Sequence, residues 1–535
     1  MKHQSYSITH AVLNMGERAE DFSRHYLAAL SREKKGSECE AGTAKVKIAI
    51  LDTSKSLEAS ALWKSNYGSK EGLEIHRLGA KTRDEFFDKL KIRLPNTAWF
   101  TDSEGPLDFI KTKGGAELLE DTRQPGVQNF SVATERLRLI IYALYLINSS
   151  MENHRTTNPE LIWVTDDDGA IRPSRTIAGK LIFPKRQSPT IYAQVSELLT
   201  ENPYLFSVSG FTGDLPAPLL TMDYNLFILR KIFNILSTVT NPKDKPTKAE
   251  LRVFCATVIS TGLQELREDY QTALPINYSW WYGLTWHDIA EKLIGLFCRE
   301  LGGSTAPIKI ATDNYPWTAT AEIPYTNIIT NVELMTLVPY LPQPFGAVRG
   351  SDAAWFHTMK DTITGMEGRP VKMLYEKHPH FFHRQEVLKT RPNIGRWIAQ
   401  RSSIQTNEGN AASMRGSDVN ASMFNQRIEG IIAQITEIPW LKKNDALLLE
   451  AYTSYKMSVD SGYKEEKTRG GVRFKDQVAR KEFGRLYIAE WRKICKTIFP
   501  IITARLEDDL KLDILDERSL PITVNYNFLK SSFRL

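Results

Sequence analysis

Cysteine is scarce. The chain carries four in 535 residues, Cys39, Cys255, Cys298 and Cys495, all far apart. That spacing excludes a zinc-ligand pattern and a disulfide-stapled scaffold, and it suits reduced thiols in a cytosolic protein. Long apolar runs are also missing. The longest, Leu139 to Ile147, is about half the roughly 20 residues that a membrane-spanning helix needs. The segment from Met1 to Phe22 contains no apolar signal core. No internal repeat and no low-complexity tract interrupts the chain. Charge of one sign is nearly absent too: 69 basic against 63 acidic residues leave a net charge of +6. An excess that mild does not by itself call for nucleic acid or a membrane surface. What remains is an ordinary folded composition, 42% hydrophobic and 25% charged, long enough for two or three domains. The expectation is a cytoplasmic protein without a transmembrane segment.

Patterning predicts alternating strands and helices from about Lys45. Residues before it, "SREKKGSECEAGTAK", are polar and loop-like. "KVKIAILDTSKS" then reads as a buried parallel strand over Val46 to Leu51, ending at Asp52. A helix-like stretch "SLEASALWKSNYG", a strand "LEIHRLG" and a helix "TRDEFFDKLKIRL" follow. "TAWFTD" reads as a third strand ending at Asp102, and a helix is expected from Val132 to Ser149. The next strand, "ELIWV", runs into Thr165 and the triplet Asp166, Asp167 and Asp168. Such alternation implies a mostly parallel sheet with helices on both faces. Ligands of these sheets sit outside the carboxyl ends of the strands, and Asp52, Asp102 and the triplet would gather there.

Three adjacent negative charges repel one another and cost stability unless something neutralises them. One explanation is an exposed acidic turn. The other is a divalent cation, because hard carboxylate oxygens suit Mg²⁺ or Mn²⁺, and such ions commonly bridge carboxylate and phosphate.

The strand order, the helix segment "PGVQNFSVATERLRLIIYAL" and the acidic "VTDDDGAI" together resemble a nucleotide-sugar-dependent glycosyltransferase of the GT-A fold with its D-x-D motif. The resemblance runs over about Lys45 to Lys389. It implies Mn²⁺ or Mg²⁺ and a nucleoside-diphosphate sugar as donor. The metal-facing pair would be Asp166 with Asp168, or Asp167 with Asp168. Asp52, Asp102, Arg136 and Gly210 would lie along the donor, Gly210 in the loop "SGFTGDLPAP". The stretch Phe345 to Gln385, "FGAVRGSDAAWFHTMKDTITGMEGRPVKMLYEKHPHFFHRQ", resembles the acceptor half. There Asp352 would open a helix and act on the acceptor hydroxyl, and His380 or His383 would complete the metal site. Arg349 and Arg384 could pair with the diphosphate, because guanidinium forks match phosphate oxygens. Asp352 could equally serve only as a helix N-cap.

Other features stay open. Trp280, Trp281 and Trp286, with Tyr282 among them, could form a hydrophobic core or a stacking platform for sugar rings. After about Lys389, "RSSIQTNEGNAASMRGSDVNAS" reads as a linker, and the remainder as amphipathic helices. The expected organisation is an extension over 1–44, a GT-A-like region over 45–400 (donor half 45–235, acceptor half 236–400), and an α-helical region over 401–535. The acceptor could be a glycan, a protein, a metabolite or a nucleic-acid base. Two rivals remain. A nucleotidyltransferase would usually place a glycine-rich, lysine-bearing loop after the first strand, where "LDTSKSLEAS" has no glycine. A non-catalytic scaffold would use its helices to bind a partner.

Overall fold

The computed structural model describes residues 5–37, 44–54, 56–68, 70, 72–93, 119–121, 132–151, 158–167, 169–170, 175–177, 180–182, 190–202, 204–208, 211–213, 223–265, 281–302, 328–337, 359, 363, 371–375, 381–383, 394–395, 398–399, 421–468, 473–474, 491 and 495. The chain forms two compact units. The first comprises 1–210, 323–382 and 469–535, and the second 211–322 and 383–468.

The first unit is built on a seven-stranded sheet. Its strands are β1 (Tyr6–Asn14), β2 (Ala44–Asp52), β3 (Glu74–Leu78), β4 (Glu160–Asp166), β5 (Tyr204–Val208), β6 (Ile328–Asn331) and β7 (Val371–Tyr375). They lie in the order β7-β5-β6-β4-β1-β2-β3. β1 pairs parallel with both β2 and β4, β2 with β3, and β5 with β7. Only β6 runs the other way, antiparallel to β4 and β5. Asn331, where β6 ends, accepts a hydrogen bond from the Leu205 amide at 2.6 Å. The sheet is thus α/β and mostly parallel, as the alternating pattern implies.

The central strand is the main departure from expectation. β1 comes from the segment read as an N-terminal extension, and the first strand of the chain is Tyr6–Asn14 rather than Val46–Leu51. The reason is physical. "YSITHAVLN" mixes Thr9, His10 and Asn14 among its apolar residues, yet all three are buried. His10 is covered by aromatics: its ring lies 4.8 Å from Trp163 and edge-on to Tyr26 and Tyr192. Its Nδ1 is 3.0 Å from the Tyr26 hydroxyl and its Nε2 3.3 Å from that of Tyr192. A polar residue with both nitrogens partnered can sit in a core strand.

Helices cover the sheet. A helical stretch leaves β1 as a 3-10 turn (Gly16–Arg18) and continues through Ala19–Phe22 and a π turn (Ser23–Leu27) into α1 (Ala28–Ser37). α2 (Ala80–Arg93), α3 (Val132–Met151) and α4 (Ile191–Glu201) follow. α3 packs on β1 and β2, and Leu137, Leu139, Ile140, Ile141, Ala143 and Leu144 are all buried. That burial explains why the longest apolar run of the chain is a core helix. α4 begins on Thr190, whose side chain accepts from the Ala193 amide, and the Glu33 carboxylate accepts from the Ile191 amide at 2.9 Å.

The second unit is helical: α5 (Asp223–Leu236), α6 (Lys248–Glu265), α7 (Trp286–Gly302), α8 (Ala421–Thr436) and α9 (Asp445–Thr468). α6 and α7 both open on capping boxes, Thr247 with Glu250 and Thr285 with Asp288. α7 packs on α9, and α8 on α5. Helices before and after the polar stretch at 401–420 therefore share one core, including Leu229, Phe233, Phe297, Ile428 and Tyr455. The expected boundary at 400/401 does not separate the units, and residues 469–535 belong with the sheet. Trp281 is fully buried, 5.2 Å from Phe254, and Trp286 packs on that same ring. Trp281 is core and Trp286 packs half-buried against that core, while Tyr282 is exposed and Trp280 lies outside the described residues. Among the described residues no helix is long and apolar enough to cross a membrane.

One buried and one half-buried titratable group in the first unit, His10 and Glu160, tilt its acid stability in opposite directions. Desolvation pushes His10 down from 6.5 to about 3. Its contribution is present above pH 6.5 and is lost as pH falls through that window. Desolvation pushes Glu160 up from 4.5 to about 7, against hydrogen bonding from Ser7 and the nearby Lys47. Its contribution is present below pH 4.5 and is lost as pH rises towards 7. Between pH 4.5 and 6.5 the two slopes oppose each other. His10→Phe should therefore make urea stability decline more as pH rises, and Glu160→Gln should make it climb more. Each change should amount to at most about 1.4 kcal/mol per pH unit. Parallel profiles for both variants and the parent would refute this opposition.

Candidate functional site

The carboxyl ends of the six parallel strands share one edge, at Asn14, Asp52, Leu78, Asp166, Val208 and Tyr375. The chain runs outward from β1 to β2 and β3, then returns to the other side of β1 for β4. The order therefore reverses between β1 and β4, and an open α/β sheet binds ligands in the crevice at such a reversal. Asn14 ends one of these strands and Asp166 the other, with the rest of the aspartate triplet just beyond.

The described members of the triplet are held differently. Asp166 is paired with Arg136 from the first turns of α3, whose Nη2 lies 2.8 and 3.0 Å from the two carboxylate oxygens. The Arg136 side chain is 6% exposed and that of Asp166 29%. Asp167 turns inward and is only 6% exposed. Its Oδ2 accepts from the Asn14 amide group at 3.0 Å and from the Met15 backbone N–H at 3.3 Å. Its Oδ1 accepts from Arg18 Nη1 at 2.8 Å, and Arg18 is 25% exposed. Asp167 thus serves as the anion at the start of the helical stretch that leaves β1, a position where backbone N–H groups favour negative charge. The Asn14 amide must face that carboxylate with its nitrogen, since the opposite flip would set two acceptors against each other.

Asp52 also faces inward. Its Oδ1 accepts from the Ser54 backbone N–H at 2.8 Å and from the Ser54 hydroxyl at 2.5 Å. Its Oδ2 accepts from the Ser60 hydroxyl and, at 2.5 Å, from Arg77 Nη2. The expectation that Asp52 lies along a donor nucleotide meets a carboxylate whose two oxygens are both engaged within the protein. What Asp52 does is shape the loop after β2. Arg77 also donates to the Ser60 carbonyl at 2.9 Å and stacks over Trp63 at 5.1 Å. Burial pulls its pKa down, and Asp52 pulls it back up.

The loops after β1 and β2 are fastened to each other. The Thr53 amide donates to the Asn14 carbonyl at 2.9 Å, and the Gly16 amide to the Ser54 hydroxyl at 2.7 Å. Behind them, Arg83 of α2 donates to the Asp52 carbonyl at 2.7 Å. In α3, Glu135 is paired with Arg138 at 2.7 Å. Burial raises the Glu135 pKa, and Arg138 and Arg83 oppose that rise.

Of the residues marked out from sequence, the described ones at this edge are Asp52, Arg136, Asp166 and Asp167. Arg136 contacts Asp166 directly, an ion pair between α3 and β4 that the sequence signals only as an arginine in the helix before the acidic motif. Asp102, Asp168, Gly210, Arg349, Asp352, His380 and Arg384 lie outside the described residues. His383 ends the strand Phe381–His383, and its side chain lies outside them too. Sequence reasoning missed Asn14, Gly16 and Arg18. The signal available was the string "NMGER" directly after a segment of strand-like character.

Among the described residues no group of three or more His, Cys, Asp or Glu side chains is placed to hold a metal ion. The chain matches no protein-family model, no curated protein and no solved structure.

Gly16 is the tightest point of this edge. A Cβ there would lie 1.8 Å from the Ala59 carbonyl oxygen and 2.6 Å from its carbon. Gly16→Ala must therefore push the two loops apart. The expected cost is about 1–3 kcal/mol, read from chemical denaturation, together with faster proteolysis within 53–68. An unchanged midpoint would show that the loops are not coupled through this contact.

Proposed function

We propose that the chain is a metal-dependent glycosyltransferase of the GT-A type, moving a sugar from a nucleoside-diphosphate sugar to an acceptor hydroxyl. The observation that carries the proposal is Asp166. It ends β4 at the chain reversal, is held in place by Arg136, and remains partly exposed. With Asp167 anchored inward, the outward pair of the triplet would be Asp166 and Asp168. That alternation is the one a D-x-D motif needs.

The donor set fits Mg²⁺ or Mn²⁺ in kind. Such ions are often bound through one or two carboxylates, with substrate phosphates and waters filling the other positions. Asp166 would supply one hard oxygen ligand, and Asp168 and His380 or His383 are the other candidates. When bound, the ion would stabilise charge on the departing diphosphate as a Lewis acid. The chain's own residues do the positioning. Arg136 orients the Asp166 carboxylate, and Arg18, which is paired with the neighbouring Asp167 and 25% exposed, is the proposed contact for phosphate oxygens. Asp352 is proposed as the base that takes the proton of the acceptor hydroxyl.

Relocating the first strand also relocates the comparison with nucleotidyltransferases. The loop to consider is now "NMGERAED", which has one glycine and no lysine, so it too lacks the phosphate-cradling pattern. A scaffold reading draws support from a different observation: Asp52, Asp166 and Asp167 each already carry an arginine partner.

Purified protein incubated with a panel of nucleotide sugars and Mn²⁺ should release free nucleoside diphosphate. Pyrophosphate release would point to nucleotidyl transfer, and silence to a scaffold. Asp166→Asn should abolish the release in protein that still folds, at a stability cost of about 1–3 kcal/mol, because the nearly buried Arg136 loses a carboxylate charge. Asp167→Asn should destabilise the fold by a similar amount, about 1–3 kcal/mol, because it sets an amide against Asn14 and Arg18. Full activity in Asp166→Asn would remove the site from consideration.

A further inference from the structure

We infer that one internal water is built into the β1/β4 edge, bound between the Asn14 carboxamide oxygen and the Thr165 hydroxyl. Val12 lies opposite Thr165 in the parallel register, and Asn14 and Asp167 follow two residues later on the same face. Two contacts mark that face. Asn14 donates to Asp167 at the strand ends, and the His10 ring lies 4.8 Å from Trp163 further in. Thr165 stands between these contacts, diagonal to Asn14 on the neighbouring strand. Asn14 and Thr165 are each 1% exposed. Among the described residues, Asn14 Oδ1 and Thr165 Oγ1 are both buried without a hydrogen-bond partner.

Asn14 Oδ1 is the end of the amide left over once its nitrogen faces Asp167. It only accepts, whereas the Thr165 hydroxyl both donates and accepts. The two could answer each other directly, and they do not. Tyr26 stands beside Thr165: burial raises its phenol well above the ordinary pKa, and the Thr165 hydroxyl opposes that rise. Yet Tyr26 closes no hydrogen bond to Oγ1. An unanswered buried oxygen is costly, and two of them on one face, with a phenol alongside, make the polar setting that holds an internal water. Such a water accepts from Thr165 and donates to Asn14 Oδ1 and to the Tyr26 oxygen. The Tyr26 proton then goes to His10 Nδ1 and the His10 Nε2 proton to Tyr192, the two contacts already in place. The water joins the amide that anchors Asp167 to the residue that precedes the aspartates, and it holds this edge whatever ligand the crevice receives.

A crystal structure of the full chain, fine enough to show ordered solvent, tests this directly. One water should lie about 2.7–3.2 Å from both Asn14 Oδ1 and Thr165 Oγ1. A direct bond between the two side chains, or a dry gap, would overturn the inference. Thr165→Val tests it in solution, because valine keeps the shape and removes only the hydroxyl. An orphaned hydroxyl is a cost, so without a water the substitution should be neutral or stabilising. With a water it should raise the unfolding equilibrium constant by about three- to tenfold, read from chemical denaturation. It should also speed hydrogen exchange of the Met15 amide, which donates to Asp167. A neutral or stabilising Thr165→Val would refute the water. The parent should be equally stable in Na⁺, K⁺ and tetramethylammonium salts at one ionic strength. Stabilisation by Na⁺ or K⁺ alone, lost in Thr165→Val, would put a cation between these oxygens and overturn the assignment to water.

Discussion

The parallel pairing of β1 with β4 carries the rest of the first unit. Both strands are central, and both end at the same edge with polar side chains. Parallel strands place their backbone dipoles and terminal side chains side by side, so whatever ends one must be compatible with what ends the other. Here the compatibility is an interlocked exchange. β4 sends Asp167 to the turn that follows β1, and that turn returns the Asn14 amide, the Met15 backbone N–H and the Arg18 guanidinium. Loop 14–18 is fixed by this exchange. The loop after β2 is fixed in turn, because it hangs on the Asn14 carbonyl and on Gly16.

The same economy governs charge. Asp52, Asp166 and Asp167 are answered by arginines from three different elements: Arg77 from β3, Arg136 from α3 and Arg18 from the turn after β1. Each pair joins segments far apart in sequence, so the acidic edge doubles as a set of ties between the sheet and the pieces around it. Buried pairs of this kind are weak sources of net stability, since desolvation offsets most of their attraction. Breaking one is still costly, because it strands a charge. Their contribution is to register and placement more than to free energy.

How much of this was legible follows from how each element announces itself. β2 and β4 each carry a short apolar run before a closing aspartate, Ile48 to Leu51 and Leu161 to Val164, and α3 carries the longest apolar run of the chain, Leu139 to Ile147, so pattern alone finds them. β1 hides because its buried polar residues, Thr9, His10 and Asn14, are compensated by partners distant in the chain, such as Tyr26, Tyr192 and Asp167. A linear reading assigns polar residues to the surface, and only the folded environment shows them satisfied. The split of the chain hides for a similar reason. The second unit joins 211–322 to 383–468, and its shared core is made by side chains such as Phe297 and Tyr455 that no local composition shift connects. The tryptophan cluster was ambiguous because burial and sugar stacking ask for the same residues. Phe254 decides it for Trp281 and Trp286.

Within the triplet, position decides chemistry more than composition does. Consecutive residues of an extended chain point to opposite sides, so adjacent aspartates at the end of β4 cannot all serve one ligand. Asp166 goes to α3 and stays partly open; Asp167 goes to β1 and is closed off. The middle aspartate of the run is thereby turned into an internal anchor whose negative charge the protein itself requires. An acidic strand end of this kind needs no ligand to explain Asp167. Asp166 is explained in part by its own pairing, since Arg136 holds both of its oxygens and ties the end of β4 to α3. A buried apolar residue there would pack against the sheet without the desolvation cost of an ion pair. Part of that cost is avoided because the Asp166 side chain keeps 29% of its surface exposed, so the pair fixes the strand end without the full penalty of a buried charge.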